Sequence, residues 1–420
     1  MSVDNSELLM LLGGKKSKST IGKAGQQGFG VGVYGGSPSD LKAMGLAPME
    51  GCGNPSSDNY GNYVHTNGSV MAFIPAFAIR IGNASAPLYS KYGADTIEIG
   101  DVELNGKDGW AIPRGFYDGG KLHQGFFIDK YLCSKDSTGT LAVSVKNKDA
   151  IALNTYFSPS NLLPNGYGEF SDAIELSRAR GEHYSLVSCY QWAVISLITQ
   201  AHAQAAAGTE ACAWHDASGQ KNYPKGNNNN GSDVDDNTIT FTAAGSGSYT
   251  LVRKTGSAVP LAKTTHNGQV SGICDVNSNM LQPVLGWGNP TRDTFLLAKL
   301  SVKMHDFTRG NITNYAFFDV EDNSYGNGSY YWQKGKALYQ DTQGSGWAMN
   351  GVLPKTIAGT SADAMYGKDK VVLDFNNNSV LTVAGHFGTG SDGGSWARYG
   401  DYTWSSSLGY ASFRAAAYPP

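Results

Sequence analysis

The stretch His266–Gly286, HNGQVSGICDVNSNMLQPVLG, decides how the rest of this chain is read. It opens on a tight polar turn (His266, Asn267, Gly268) and runs through a short apolar segment, Val270 to Cys274. It turns again over Asp275 to Asn279 and continues as an apolar strand from Met280 to Leu285. Asn, Asp and Gly tolerate left-handed backbone, and Asn and Asp side chains replace missing backbone partners. Such a segment suits the interior of a loop-rich fold, where irregular backbone must still be hydrogen-bonded. His266 and Asn267 are therefore expected to be structural.

Working outward, 420 residues suffice to bury a large core and point to two or more domains. Only 16% of residues are charged and the net charge is -3, so there is no field to draw in nucleic acid or an anionic membrane. The 54 glycines, 23 tyrosines and 8 tryptophans describe a turn-rich, aromatic-rich globular chain with an irregular β character, not a disordered one. Five scattered cysteines (Cys52, Cys133, Cys189, Cys212, Cys274) make a poor disulfide framework and read as buried free thiols. No secretory signal pattern and no run of about 18 apolar residues stands out, so synthesis in a reducing cytosol without membrane insertion is expected.

Residues 1–12 read as a short capped helix with Leu8, Leu9, Leu11 and Leu12 on one face, followed by a Gly-rich polar stretch to Gly36. Gly30, Gly32 and Gly35 match G-x-G-x-x-G, but no strand precedes them and no long helix follows, so a flexible or assembly arm is the better reading. Met71 to Ile81 is strand-like around Pro75, and Thr96 to Leu104 alternates. Residues 169–180 predict an amphipathic helix with Phe170, Ile174 and Leu176 inward. Ser185 to Ala207 predicts a second, buried helix with Ser188 as its cap and Gly208 as its stop. Residues 237–262 alternate as a hairpin would. Residues 305–380 read as an insertion of Gly/Asn/Tyr-rich loops, with Tyr330, Tyr331 and Trp332 as binding aromatics.

Several pieces together resemble one family. H-N-G-Q-x-x-G-I-x-D-x-N with Asn279 (Ser278 standing where Gly is usual), the strand Phe126-Phe127-Ile128 ending in Lys130-Tyr131, and Tyr184-Ser-Leu-Val-Ser188 leading to Gln191-Trp192-Ala193 belong to it. So do Gly394-Ser395-Trp396 and the closing Ser412-Phe413-Arg414. They are similar to the formylglycine-generating-enzyme-like branch of the C-type lectin fold, which includes phage receptor-binding tail proteins and retroelement-diversified variable proteins. The resemblance implies an α+β fold: a lectin-like domain with two helices, short irregular strands and many loops, spanning residues 66–420 with its core from about 125. Residues 1–65 would be an N-terminal assembly arm with a small β region. In diversified members the stretch matching residues 398–408 displays ligand-binding side chains. Its composition here, Tyr and Trp with Ser and Gly, is that of a binding surface. The expected ligand-binding residues are Trp396, Arg398, Tyr399, Asp401, Tyr402, Trp404 and Ser405, joined by Tyr330, Tyr331 and Trp332, presented as an outward aromatic face.

The implied role is a non-enzymatic adhesin of a phage tail: a virion protein that meets a host receptor, protein or glycan. It would join other tail proteins through its arm and gain avidity as a homotrimer. A virion structural or decoration protein is one alternative. A formylglycine-generating-type oxidase is another. The enzymatic relatives use a copper-binding cysteine pair near the C-terminal core, copper(I) wants thiolates, and no cysteine follows Cys274. Cys212 and His215 lack a second zinc pair. Asp233, Asp235 and Asp236 with four asparagines offer clustered oxygens for calcium, without the spacing of an EF-hand, so a solvated loop is the competing reading. Glu169 and Asp401 are carboxylates that glycoside chemistry could use, though nothing in the sequence singles them out.

Overall fold

The computed structural model describes residues 20–154, 162–163, 166–216, 222–245, 250–291, 294–322, 328–336, 338–339, 345–361, 368–374 and 378–420. The expected helix at residues 1–12 lies outside them. The fold is α+β, mostly sheet and loop with few helices.

Two six-stranded sheets organise it. The first uses β1 (Leu46–Pro48), β2 (Asn62–His65), β3 (Val70–Pro75), β4 (Gly125–Asp129), β5 (Tyr184–Leu186) and, from the C-terminus, β15 (Ala415–Ala417). Their order is β1-β2-β3-β4-β15-β5, antiparallel throughout. The second uses β6 (Gln282–Val284), β10 (Gly328–Trp332), β11 (Ile357–Ala358), β12 (Lys370–Leu373), β13 (Ser379–Ala384) and β14 (Gly394–Thr403), in the order β6-β13-β14-β12-β10-β11. Within it only β12 and β14 run parallel. A three-stranded meander, β7 (Trp287–Thr291), β8 (Thr294–Ala298) and β9 (Phe318–Asp322), completes the frame.

One helix ties the sheets together. In α3 (Cys189–Ala205), Ser188 accepts from the Gln191 N–H while the Gln191 side chain reaches back to the Ser188 N–H, a reciprocal cap. The helix is buried nearly all round, as expected where apolar residues occupy every face. Its Trp192 Nε1 donates to Ser395 O on β14 at 3.0 Å. Shorter helices include α1 (Pro38–Ala43) and α2 (Asp172–Arg178).

The opening stretch sits as its residue types require. Asp275, Ser278 and Asn279 all have positive φ. The His266 ring bridges two segments: Nε2 donates to Gly30 O at 3.0 Å and Nδ1 accepts from the Ile273 N–H at 3.0 Å. Asn267 Nδ2 donates to Phe29 O at 2.8 Å. At Gly30 φ is +92°, and a Cβ would sit about 3.0 Å from His266 Nε2. The glycine is there for close approach, not for a nucleotide.

Three sequence expectations need correction. Residues 20–65 are not a separate arm: Ile21, Phe29 and Val31 are in the main core, and β2 pairs with β3 across the expected boundary at 65/66. Residues 305–380 are not merely inserted loops, because β10, β11 and β12 build one side of the second sheet. Residues 237–262 form no regular hairpin; the described part is held by isolated bridges, Thr240 to Val259 and Ala243 to Arg253.

Candidate functional site

Several of the residues expected to face a ligand are interior. Trp332 and Trp396 are buried with rings at 4.7 Å, and Trp332 Nε1 donates to Trp396 O at 2.9 Å. The Arg398 guanidinium donates to the carbonyls of Val352, Gly351, Ser395 and Ala397 and to Ser196 Oγ. Burial pulls it down to about 9. Tyr399 is buried, its hydroxyl donating to Asp392 O at 3.2 Å. The physical reason is placement: β14 runs between β12 and β13 and packs on α3, so its large side chains fill the core. For Trp332, Trp396, Arg398 and Tyr399 the outward aromatic face is therefore a misreading. Tyr330 and Tyr331 are half-buried on β10. Asp401 and Tyr402 are half-buried near the end of β14, with Tyr402 edge-on to Phe170 at 5.9 Å. Burial raises the Asp401 carboxyl to about 6.

Past the end of β14 the chain does open. Trp404 and Ser405 line a cleft of about 450 Å³ together with Thr403, Tyr167, Glu169, Ser171, Arg309 and Asn378. Ser405 is exposed, Trp404 shows only its edge at 5%, and Tyr167 stands 59% exposed. One wall is the turn before α2, and it is tied to the β14 end: Phe170 N donates to Ser406 O and Ser171 N to Trp404 O, both at 3.0 Å.

Asp172 organises that same turn and ties Arg309 to it. Its buried carboxylate accepts from the backbone N–H groups of Tyr167, Gly168 and Glu169 through Oδ2, and from Arg309 through Oδ1 at 2.8 Å. The Arg309 guanidinium lies 4.6 Å over the Tyr167 ring. The Arg309 N–H donates to Glu175 Oε1. Tyr315 Oη donates to Asn378 Oδ1 at 2.6 Å, fixing that carboxamide. The cleft is thus walled by elements from four parts of the chain whose polar groups are held before any ligand arrives. Of the residues named from sequence, Trp404 and Ser405, expected to bind ligand, and Glu169, named only as a carboxylate for glycoside chemistry, line this cleft; Tyr167, Arg309 and Asn378 were not named. The Arg309–Asp172 contact spans 137 residues, and no local pattern announces it.

The other chemical candidates are spent on structure. All five cysteines are buried and free, and burial raises every thiol, Cys52 to about 11 and Cys189 and Cys274 to about 12. Asp233 accepts from the N–H groups of Gly226, Asp235 and Asp236, Asp235 accepts from Asn222 N, and Asp236 pairs with Lys263. Among the described residues no group of three His, Cys, Asp or Glu side chains is arranged to hold a metal. Nor is any described helix long and apolar enough to cross a membrane.

No family model matches the chain, and no curated protein does. Among solved structures the chain is similar to a Major Tropism Determinant U1 variant at 11% identity, covering 96% of each chain, with a TM-score of 0.30. A likeness of that size establishes no family for this chain.

Proposed function

We propose that this chain is a non-enzymatic receptor-binding protein of a phage tail, which meets the host surface through the cleft beyond β14. The observation that carries the reading is the preassembled cleft of about 450 Å³, bordered by Trp404 and Ser405 and faced by an exposed Tyr167. Small-ligand clefts run from about 300 to 1,000 Å³ and join an apolar surface to a few fixed polar groups. One border of the cleft, Thr403 to Ser405, lies in the stretch that the family resemblance marks for ligand display. Against an oxidase of the formylglycine-generating kind stand five buried thiols, all raised by burial and therefore held as neutral S–H near neutral pH. Weak single-site binding would gain from a homotrimer in the virion.

The test is competition. Purified protein added to host cells is expected to block adsorption of the particle that carries it, and the variants Tyr167→Ala and Ser405→Trp are expected to lose that block while keeping the wild-type melting temperature. Full block by both variants would refute the cleft as the receptor site.

One observation favours a second reading, a subunit-contact role. The edge strand β1 and helix α1 border an apolar groove of about 340 Å³ formed by Leu41, Leu46, Ala47, Pro48 and Val64. Edge strands offer unpaired backbone to a partner. Imaging of the intact particle, with this edge covered by a neighbour, would support that role.

A further inference from the structure

We infer that the cleft takes a neutral saccharide, and this rests on the receptor-binding reading of the same site. The first reason is shape. A cleft of about 450 Å³ suits a short oligosaccharide, whereas a protein partner needs a broad face, about 800 Å² on each side. The second is lining chemistry. Sugar rings have an apolar face of C–H groups and a rim of hydroxyls. Tyr167 presents an exposed ring for the first, and aromatic side chains give large contact area with a polar tip. For the rim there are a carboxylate acceptor (Glu169), a carboxamide (Asn378) and the hydroxyls of Thr403 and Ser405. With Oδ1 of Asn378 accepting from Tyr315, the N–H₂ side of that amide is the donor side.

The third reason is charge. Arg309 is the cation lining the cleft among the described residues, and its guanidinium is paired with the buried Asp172 carboxylate at 2.8 Å. Glu169 adds a negative charge. The wall as a whole is neutral to acidic, which opposes phosphate, sulfate, sialic and uronic acid groups. The fourth is preorganisation. The cleft walls are fastened to each other by backbone bonds between residues 170–171 and 404–406, so a small ligand bears little ordering cost.

The experiment uses the full chain on an array of neutral hexose and N-acetylhexosamine oligosaccharides beside sialylated, sulfated and uronate-bearing ones. Retention of neutral glycans, reduced at least tenfold by Tyr167→Ala and by Ser405→Trp at unchanged melting temperature, is the expected result. Retention of acidic glycans alone, retention of none, or equal retention by the variants overturns the inference. Whole host cells separate this from the parent reading. Loss of binding after mild periodate, which cleaves vicinal diols, supports a saccharide. Loss only after protease, with both variants still defective, overturns the saccharide and leaves the receptor role standing. Cell binding that neither variant diminishes removes both.

Discussion

His266 shows how far a single residue type can be read. Its ring is buried, with one nitrogen donating to Gly30 O and the other accepting from the Ile273 N–H. That pattern needs the neutral imidazole, and burial lowers its pKa to about 3. The unfolded chain takes up the proton near pH 6.5, which the folded chain refuses until about 3. The stability this residue confers is therefore complete above pH 6.5 and falls as pH drops through that window. Replacement by Gln should lower the melting temperature at about pH 7.5, and the gap from wild type should narrow on acidification towards about pH 4. Thermal unfolding across that range checks it. Trp396 carries a different lesson. Its aromatic character suggested a ligand contact, but the ring is buried against Trp332. Trp396→Ala should cost about 3–5 kcal/mol of stability, read by denaturant unfolding, with any loss of binding following loss of fold. Composition names the residue and not the side of the strand it occupies, which is why an outward Trp396 was expected and a buried one is found, whereas Ser405 is exposed.

The elements divide along the same line. The buried helix α3 was legible from its cap onward: the expected Ser185–Ala207 is Cys189–Ala205, with Ser185 and Leu186 in β5 instead, while N-cap Ser188 and its capping partner Gln191 are a local pattern that survives into structure. Ser188→Ala should cost about 1 kcal/mol, measurable by urea unfolding with little change in slope. β4 was likewise legible from Phe126, Phe127 and Ile128, all fully buried. The second sheet was not. β10 and β12 are short, separated by a long stretch, and joined to β14 by one parallel pairing that no local alternation encodes. Reading residues 305–380 as loops followed from seeing Gly, Asn and Tyr without the partner strand that gives them a place. The cleft was half legible for the same cause. Trp404 and Ser405 stood in a recognisable stretch, while Arg309 is brought to the cleft by partners far away in sequence, Asp172 and Glu175.

The whole molecule closes through its ends. Arg414, just before β15, donates to the carbonyls of Asp129, Lys130, Cys274 and Asp275 and to Gln282 Oε1. One side chain thus joins the first sheet to the opening stretch and to β6. From the other end, Phe29 and Gly30 supply the carbonyls that Asn267 and His266 bind, and Ile21, Phe29 and Val31 fill the core. The alternation of Phe29, Val31 and Val33 between glycines was the available sign, masked by a composition that reads as a linker. Deleting residues 2–36 would leave buried donors on His266 and Asn267 unpaired, each costing about 1–3 kcal/mol, and would remove at least four buried core side chains at once, Ile21, Phe29, Val31 and Tyr34. Domains are stable by only about 5–15 kcal/mol, so the truncated chain should fail to fold and should lack a cooperative thermal transition by circular dichroism. A truncated protein with a sharp transition near the wild-type temperature would restore the separable arm and place the folding unit wholly in the residues beyond Gly36.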